Sequence, residues 1–104
     1  MVSMKISVIA LALSGLMLPF AASASQSLAQ AKGCMTCHQV DKKTLGPSYK
    51  QIAEKYKGDK AAEANLVKKV KAGGTGVWGS AVMPPNAHVK EEDIKTIVHW
   101  ILTQ

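Results

Sequence analysis

Arginine is absent from this 104-residue chain, so all 13 basic residues are lysines, set against 7 acidic residues. Without guanidinium groups the bidentate contacts that read bases and grip phosphates are missing, and the lysines are spread along the chain. Both features argue against nucleic-acid binding. Aromatic residues are equally scarce, at one Phe, two Tyr and two Trp. No alternating apolar pattern marks a strand, and no segment repeats. There are only two cysteines.

What is present divides at about residue 24. Lys5 precedes a charge-free, largely apolar run, 6–20, and then Ala22-Ser23-Ala24. That order fits a signal peptide, 1–24, cleaved after Ala24, and so places the protein in the periplasm. Ser14, Gly15 and Pro19 interrupt the stretch, which falls short of the ~20 residues of a spanning helix, so no stable membrane insertion is expected after cleavage. No cysteine follows the run, which argues against lipid attachment.

The mature chain, 25–104, is one domain of 80 residues with little apolar mass of its own. Phe20 leaves with the leader, and such a domain needs a staple or an interior cofactor. Its net charge stays positive, one unit below the +6 of the whole chain once Lys5 is lost. A positive surface on an exported protein suits either solubility or steering of an acidic protein partner.

An all-α domain of about four helices is expected. The first covers 27–33, with Ser27 as N-cap and an inner face of Leu28 and Ala31. The second covers 48–57, with Tyr49, Ile52, Ala53 and Tyr56 on one side and Gly58 as its stop. Asp59 caps a third, 60–72, whose inner side is Ala64, Leu66, Val67 and Val70. The fourth, 90–102, carries Ile94, Ile97, Val98, Ile101 and Leu102 at i, i+3, i+4, i+7, i+8 spacing, with Glu91, Glu92 and Asp93 at its dipole-positive start. Between them, 73–89 holds four glycines and two prolines and reads as a long functional loop.

The chemistry is concentrated in Cys34-Met35-Thr36-Cys37-His38. Two thiols three positions apart can form thioethers to the two vinyl groups of one haem, and the adjacent imidazole can ligate its iron. A thioredoxin-like pair belongs in a β-α-β context that is missing here. A zinc site needs about four ligands, and no further cysteine exists. A Cys34–Cys37 disulfide would close too small a ring to brace anything. One covalently bound haem c with its iron is therefore the expected cofactor, and export agrees with it because c-type haem is attached outside the cytoplasm.

For the sixth iron position the mature chain offers Met35, Met83, His88, His99 and lysines. Met35 lies between the anchoring cysteines and cannot reach the opposite haem face. Met83 ends a glycine-rich segment and precedes Pro84-Pro85, which stiffen the backbone so that a weak thioether can be held on iron. Met83 is the expected ligand. His88 is read as an exposed loop residue, and His99 as solvated or partly packed off the apolar face of the last helix.

Through Gly33-Cys34-Met35-Thr36-Cys37-His38, Leu45-Gly46-Pro47, Gly76-Val77-Trp78-Gly79, Met83-Pro84-Pro85-Asn86 and Trp100-Ile101-Leu102, the mature chain resembles the small bacterial class I cytochromes of the c-551/c-552 (c8) type. The resemblance implies thioethers at Cys34 and Cys37 and iron ligation by His38 and Met83. It further implies that the Pro47 carbonyl accepts from the His38 ring, that Asn86 donates near the Met83 sulfur, and that the Trp78 indole N–H meets a haem propionate. Lys69 stands where the family often has arginine beside that propionate. Lys90 stands where a serine N-cap is common.

With both axial positions filled, such a protein is a low-spin, single-electron carrier and not an enzyme, since no distal acid–base group accompanies the iron. Methionine ligation and haem burial both favour a positive potential. The expected partners are redox proteins met in brief, small-area encounters. The donor could be a cytochrome complex and the acceptor a terminal oxidase or nitrite reductase, with the carrier itself a monomer. The rival reading is a haem-based gas sensor with a displaceable sixth ligand. Four-helix-bundle proteins of that kind, however, carry the C-x-x-C-H motif near the C-terminus.

Overall fold

The computed structural model describes Gly15 and residues 20–104; most of the expected leader, 1–24, lies outside the described residues. Small, helix-favouring residues between Ala21 and Ala31 propagate one helix, α1 (Phe20–Ala31), that starts well before the expected cap. Ser27 is thus an interior residue, and the expected N-cap is corrected. The inner face is also turned by about one position: Ala29 is fully buried with Leu28 packed beside it, whereas Ala31 is exposed.

A single 3₁₀ turn, Cys34–Thr36, follows α1. Helix α2 (Tyr49–Lys55) opens on a capping box in which Ser48 Oγ accepts from the Gln51 N–H and Gln51 Oε1 accepts from the Ser48 N–H. Helix α3 (Ala62–Ala72) begins two residues later than expected. Asp59 caps the turn before it, accepting from the Ala61 N–H at 2.9 Å. On α3 it is Ala62, not Ala64, that is buried beside Val67. Helix α4 (Glu91–Leu102) starts behind Lys90 with no side-chain cap, and its first turn holds the three acidic residues. Ile94, Ile97, Val98 and Ile101 are all buried, as their spacing predicts.

The 73–89 segment is more ordered than a plain loop. It folds into an antiparallel hairpin of β1 (Gly74–Gly76) and β2 (Gly79–Met83), with Val77 and Trp78 at the tip. Its small size leaves the fold all-α in character.

Helix α4 is the organising element and packs against α1, α2 and α3. On one side its Ile97, Trp100 and Ile101 join Ala29, Tyr49 and Ile52; on the other its Ile94 and Val98 join Val67 and Val89. Among the described residues no helix is long and apolar enough to cross a membrane.

Candidate cofactor cavity and its ligands

The two halves of the core do not close on each other. Between them lies a cavity of about 400 Å³, within the ~300–1,000 Å³ range of cofactor sites. Ile52, Leu66, Val70, Ile94, Val98 and Ile101 supply much of its apolar wall. Cys34, Cys37, His38, Pro47, Trp78, Met83 and Asn86 all line it as well. The seven residues to which the sequence gives a role at the haem therefore all reach one chamber.

The proximal wall is built locally. The 3₁₀ turn brings the His38 N–H to the Cys34 carbonyl at 3.0 Å and so sets both cysteines and the histidine on one short arch. The following loop folds back on this arch: Gly46 N–H and Thr44 Oγ1 both donate to the Cys37 carbonyl, at 2.8 and 2.6 Å. Tyr49 N–H and Lys50 N–H then reach Gln39 and Val40. This closure delivers the buried Pro47 carbonyl to 2.8 Å from His38 Nδ1. A carbonyl oxygen can only accept, so Nδ1 carries a proton, and in the neutral ring Nε2 is then the nitrogen with the lone pair. The Pro47 contact implied by the resemblance is thus present in the geometry.

Both thiols are free and half-buried. Burial pushes the Cys34 thiol above its ordinary range, with the neighbouring Cys37 adding to the effect and a backbone hydrogen bond opposing it. Among the described residues no group of three or more His, Cys, Asp or Glu side chains gathers in a metal-binding cluster.

The opposite wall depends on a crossing. Gly73 has φ +74° and ends α3; a Cβ there would lie 2.6 Å from the Met83 carbonyl oxygen and 2.8 Å from Pro85 N. Only glycine lets the Met83-Pro84-Pro85 strand pass this close to the helix end. Asn86 secures the crossing. Its amide donates to the Val70 carbonyl at 3.1 Å and the Pro84 carbonyl at 3.3 Å, and its backbone N–H is shared between Val70 and Lys71. This is a different use of the amide from the sulfur contact that the resemblance implies, and it completes the exposed carbonyl end of α3.

Trp78, half-buried at the hairpin tip, is clasped by the Lys55 ammonium, 5.4 Å from the ring centroid, while the same cation lies 5.9 Å from the Tyr56 ring. Lys69 also lines the cavity. His88 is exposed, and His99 projects outward to Glu63 across α3 and α4 at 3.3 Å. Neither lines the chamber.

Sequence reasoning passed over one residue. Tyr49 is 1% exposed, stacks on His38, lines the cavity, and has a buried hydroxyl without a hydrogen-bond partner among the described residues. Burial pushes its ionisation far above the ordinary tyrosine range, and the two cysteines reinforce the shift, so it is neutral. Its two-residue spacing after Pro47 was the available clue.

Two thiols, a neutral imidazole nitrogen and a thioether around one large apolar chamber suit a covalently anchored macrocycle bearing iron. Fold and cavity together define a small helical protein built around one buried prosthetic group. The comparisons narrow this further. The Cytochrome c family pattern matches residues 22–104. Cytochrome c-551 of Allochromatium vinosum is 57% identical over 75 residues, covering 72% of this chain and 80% of that protein. Cytochrome c-552 of Nitrosomonas europaea is 44% identical over 92 residues, covering 88% and 89%. The crystal structure of wild-type cytochrome c552 from Nitrosomonas europaea superposes with a TM-score of 0.73 at 45% identity, over 75% of this chain and 96% of that one.

The chain belongs to the cytochrome c family. It carries covalently bound haem c with its iron, and its two cysteines are available for the thioethers. Its relatives are cytochromes of the c-551 and c-552 kind.

Proposed function

We propose that this protein is a periplasmic carrier of single electrons in which Cys34 and Cys37 hold the haem and His38 and Met83 ligate its iron. The observation that carries this reading is the His38 Nδ1–Pro47 hydrogen bond, which in the neutral ring leaves Nε2 as the free acceptor of a side chain that lines the same cavity as Met83. The haem supplies the redox centre, an iron that cycles between its ferrous and ferric states.

Everything else is done by the chain. Pro47 fixes the imidazole tautomer and raises its donor strength. Gly73, Pro84, Pro85 and Asn86 hold the Met83 segment still, so that little rearrangement accompanies gain or loss of an electron. Trp78 would donate its indole N–H to a propionate, and Lys69, which lines the same cavity, would supply a positive charge. With His38 and Met83 both holding the iron, no position on it would be left for a substrate, and the protein would act as a carrier and not as an enzyme. The fixed Met83 segment also disfavours the displaceable sixth ligand that a gas sensor needs.

Cleavage after Ala24 would release residues 25–104 to the periplasm. The α1 residues that pack in the core, Leu28 and Ala29, lie beyond that point and stay with the domain. The cavity lining also includes Leu45, Val77 and Val82, which are 70%, 41% and 72% exposed, and Lys43 lies alongside. Such an apolar spot beside positive charge suits transient docking of a monomer to an acidic redox protein, with charge serving the on-rate more than the affinity.

The test is a pyridine haemochrome spectrum and an intact mass on the purified mature protein, followed by the spectrum of the oxidised form. One haem added to the mass of residues 25–104, a c-type spectrum and a sulfur-to-iron charge-transfer band support the reading. Absence of haem, or a high-spin oxidised form at neutral pH, overturns it.

A further inference from the structure

The His38 ring is confined on three sides. Nδ1–H donates to the Pro47 carbonyl, the Gly46 backbone lies against the ring, and the Tyr49 ring stacks on it at 5.6 Å between centroids with planes 21° apart. Tyr49 is itself held rigidly. It is the first residue of α2, directly behind the buried Ser48 of the capping box, and it meets Trp100 of α4 edge-on at 5.3 Å and 73°. Trp100 is 5% exposed. A continuous aromatic column therefore runs from the C-terminal helix to the imidazole. The Tyr49 hydroxyl takes no part in it, since it has no partner among the described residues; the ring is held by packing.

We propose that Tyr49 is a positioning residue for His38: its ring, backed by Trp100, fixes the imidazole plane and shields the Nδ1–H···Pro47 bond from water. This rests on His38 being an iron ligand. Because that bond sets the donor strength of Nε2, the Trp100–Tyr49 contact links the packing of α4 to the electronic state of the ligand. A pair of offset or edge-on rings is worth more than its buried area alone, and here two such pairs act in series on one imidazole.

The experiment uses the reduced, haem-loaded protein, with the solvent exchange rate of the His38 Nδ1 proton followed by NMR and the reduction potential measured in parallel. Tyr49→Leu should speed that exchange by about tenfold and move the potential. Tyr49→Phe, which keeps the ring and drops the idle hydroxyl, should leave both as in wild type. Trp100→Leu provides a second line should Tyr49→Leu fail to yield folded protein, and should speed the exchange in the same direction by a smaller factor.

Unchanged exchange in Tyr49→Leu, or in Trp100→Leu if only that variant folds, overturns the proposal. So does a Tyr49→Phe protein that behaves like Tyr49→Leu, because the hydroxyl and not the ring would then be acting. The ligand reading is judged separately in the wild type. If the His38 ring protons lack the large upfield shifts of an imidazole lying over a porphyrin, His38 is not on the iron and both readings fall together.

Discussion

Gly46 and His38 are in direct contact: a Cβ on residue 46 would come within 2.6 Å of the imidazole Cε1 and 2.9 Å of Nδ1. The ring rests on bare backbone, and the same loop supplies the Pro47 carbonyl that holds it. Gly46→Ala therefore has to push the ring away or bend the loop. Overpacking of this kind costs about 1–3 kcal/mol, which urea unfolding of the haem-loaded protein will read, together with a displaced His38 Nδ1–H resonance. Wild-type stability and an unmoved resonance would show that the ring has slack on this side.

Met83→Ala removes a thioether from a wall whose backbone is fixed independently by Gly73 and Asn86. The haem should stay covalently attached, while the sulfur-to-iron band disappears and the oxidised iron turns high-spin or takes another ligand. The optical spectrum at several pH values checks this. An unchanged low-spin spectrum would remove Met83 from the iron.

Cys34→Ala and Cys37→Ala each leave one thiol on the arch. Each single variant should retain a covalent haem through one thioether, with the pyridine haemochrome band displaced toward longer wavelength, and the double variant should lose its haem to acidified organic solvent. Retention of haem by the double variant under that extraction would refute the attachment reading.

Ser48 caps α2 immediately before Tyr49, with its Oγ 3.1 Å from the Gln51 N–H. Ser48→Ala should cost about 1 kcal/mol, measurable as a lower urea midpoint. Because α2 begins with the ring that meets His38, the loss should be accompanied by a shift of the His38 ring resonances. Stability lost without such a shift would mean that Tyr49 is held well enough by Trp100 alone.

Some of this was readable one segment at a time. The apolar face of α4 depends on spacing within twelve residues, and its 3.6-residue period dictates burial wherever the helix docks. The attachment motif is legible for the same reason, since its chemistry is contained between Cys34 and His38. The Gly-rich 73–89 segment was recognisable as irregular, but its hairpin was not. The pairing of Gly74 with Met83 follows from the Gly73 crossing, not from any alternation of apolar residues. The inner face of α1 was misassigned to Ala31, because which side of a short, Ala-rich helix is buried depends on its docking against α4.

Local patterns suffice to define a small helical cytochrome with one covalent haem, because C-x-x-C-H, the methionine before Pro84-Pro85 and the helical spacing each have few physical interpretations. Tertiary structure decided the surroundings of the ligands. The Gly46 contact, the Tyr49–Trp100 column and the commitment of Asn86 to the end of α3 all join residues from different elements. Such contacts arise only when helices pack around a shared cavity, and no short-range pattern in the chain encodes them.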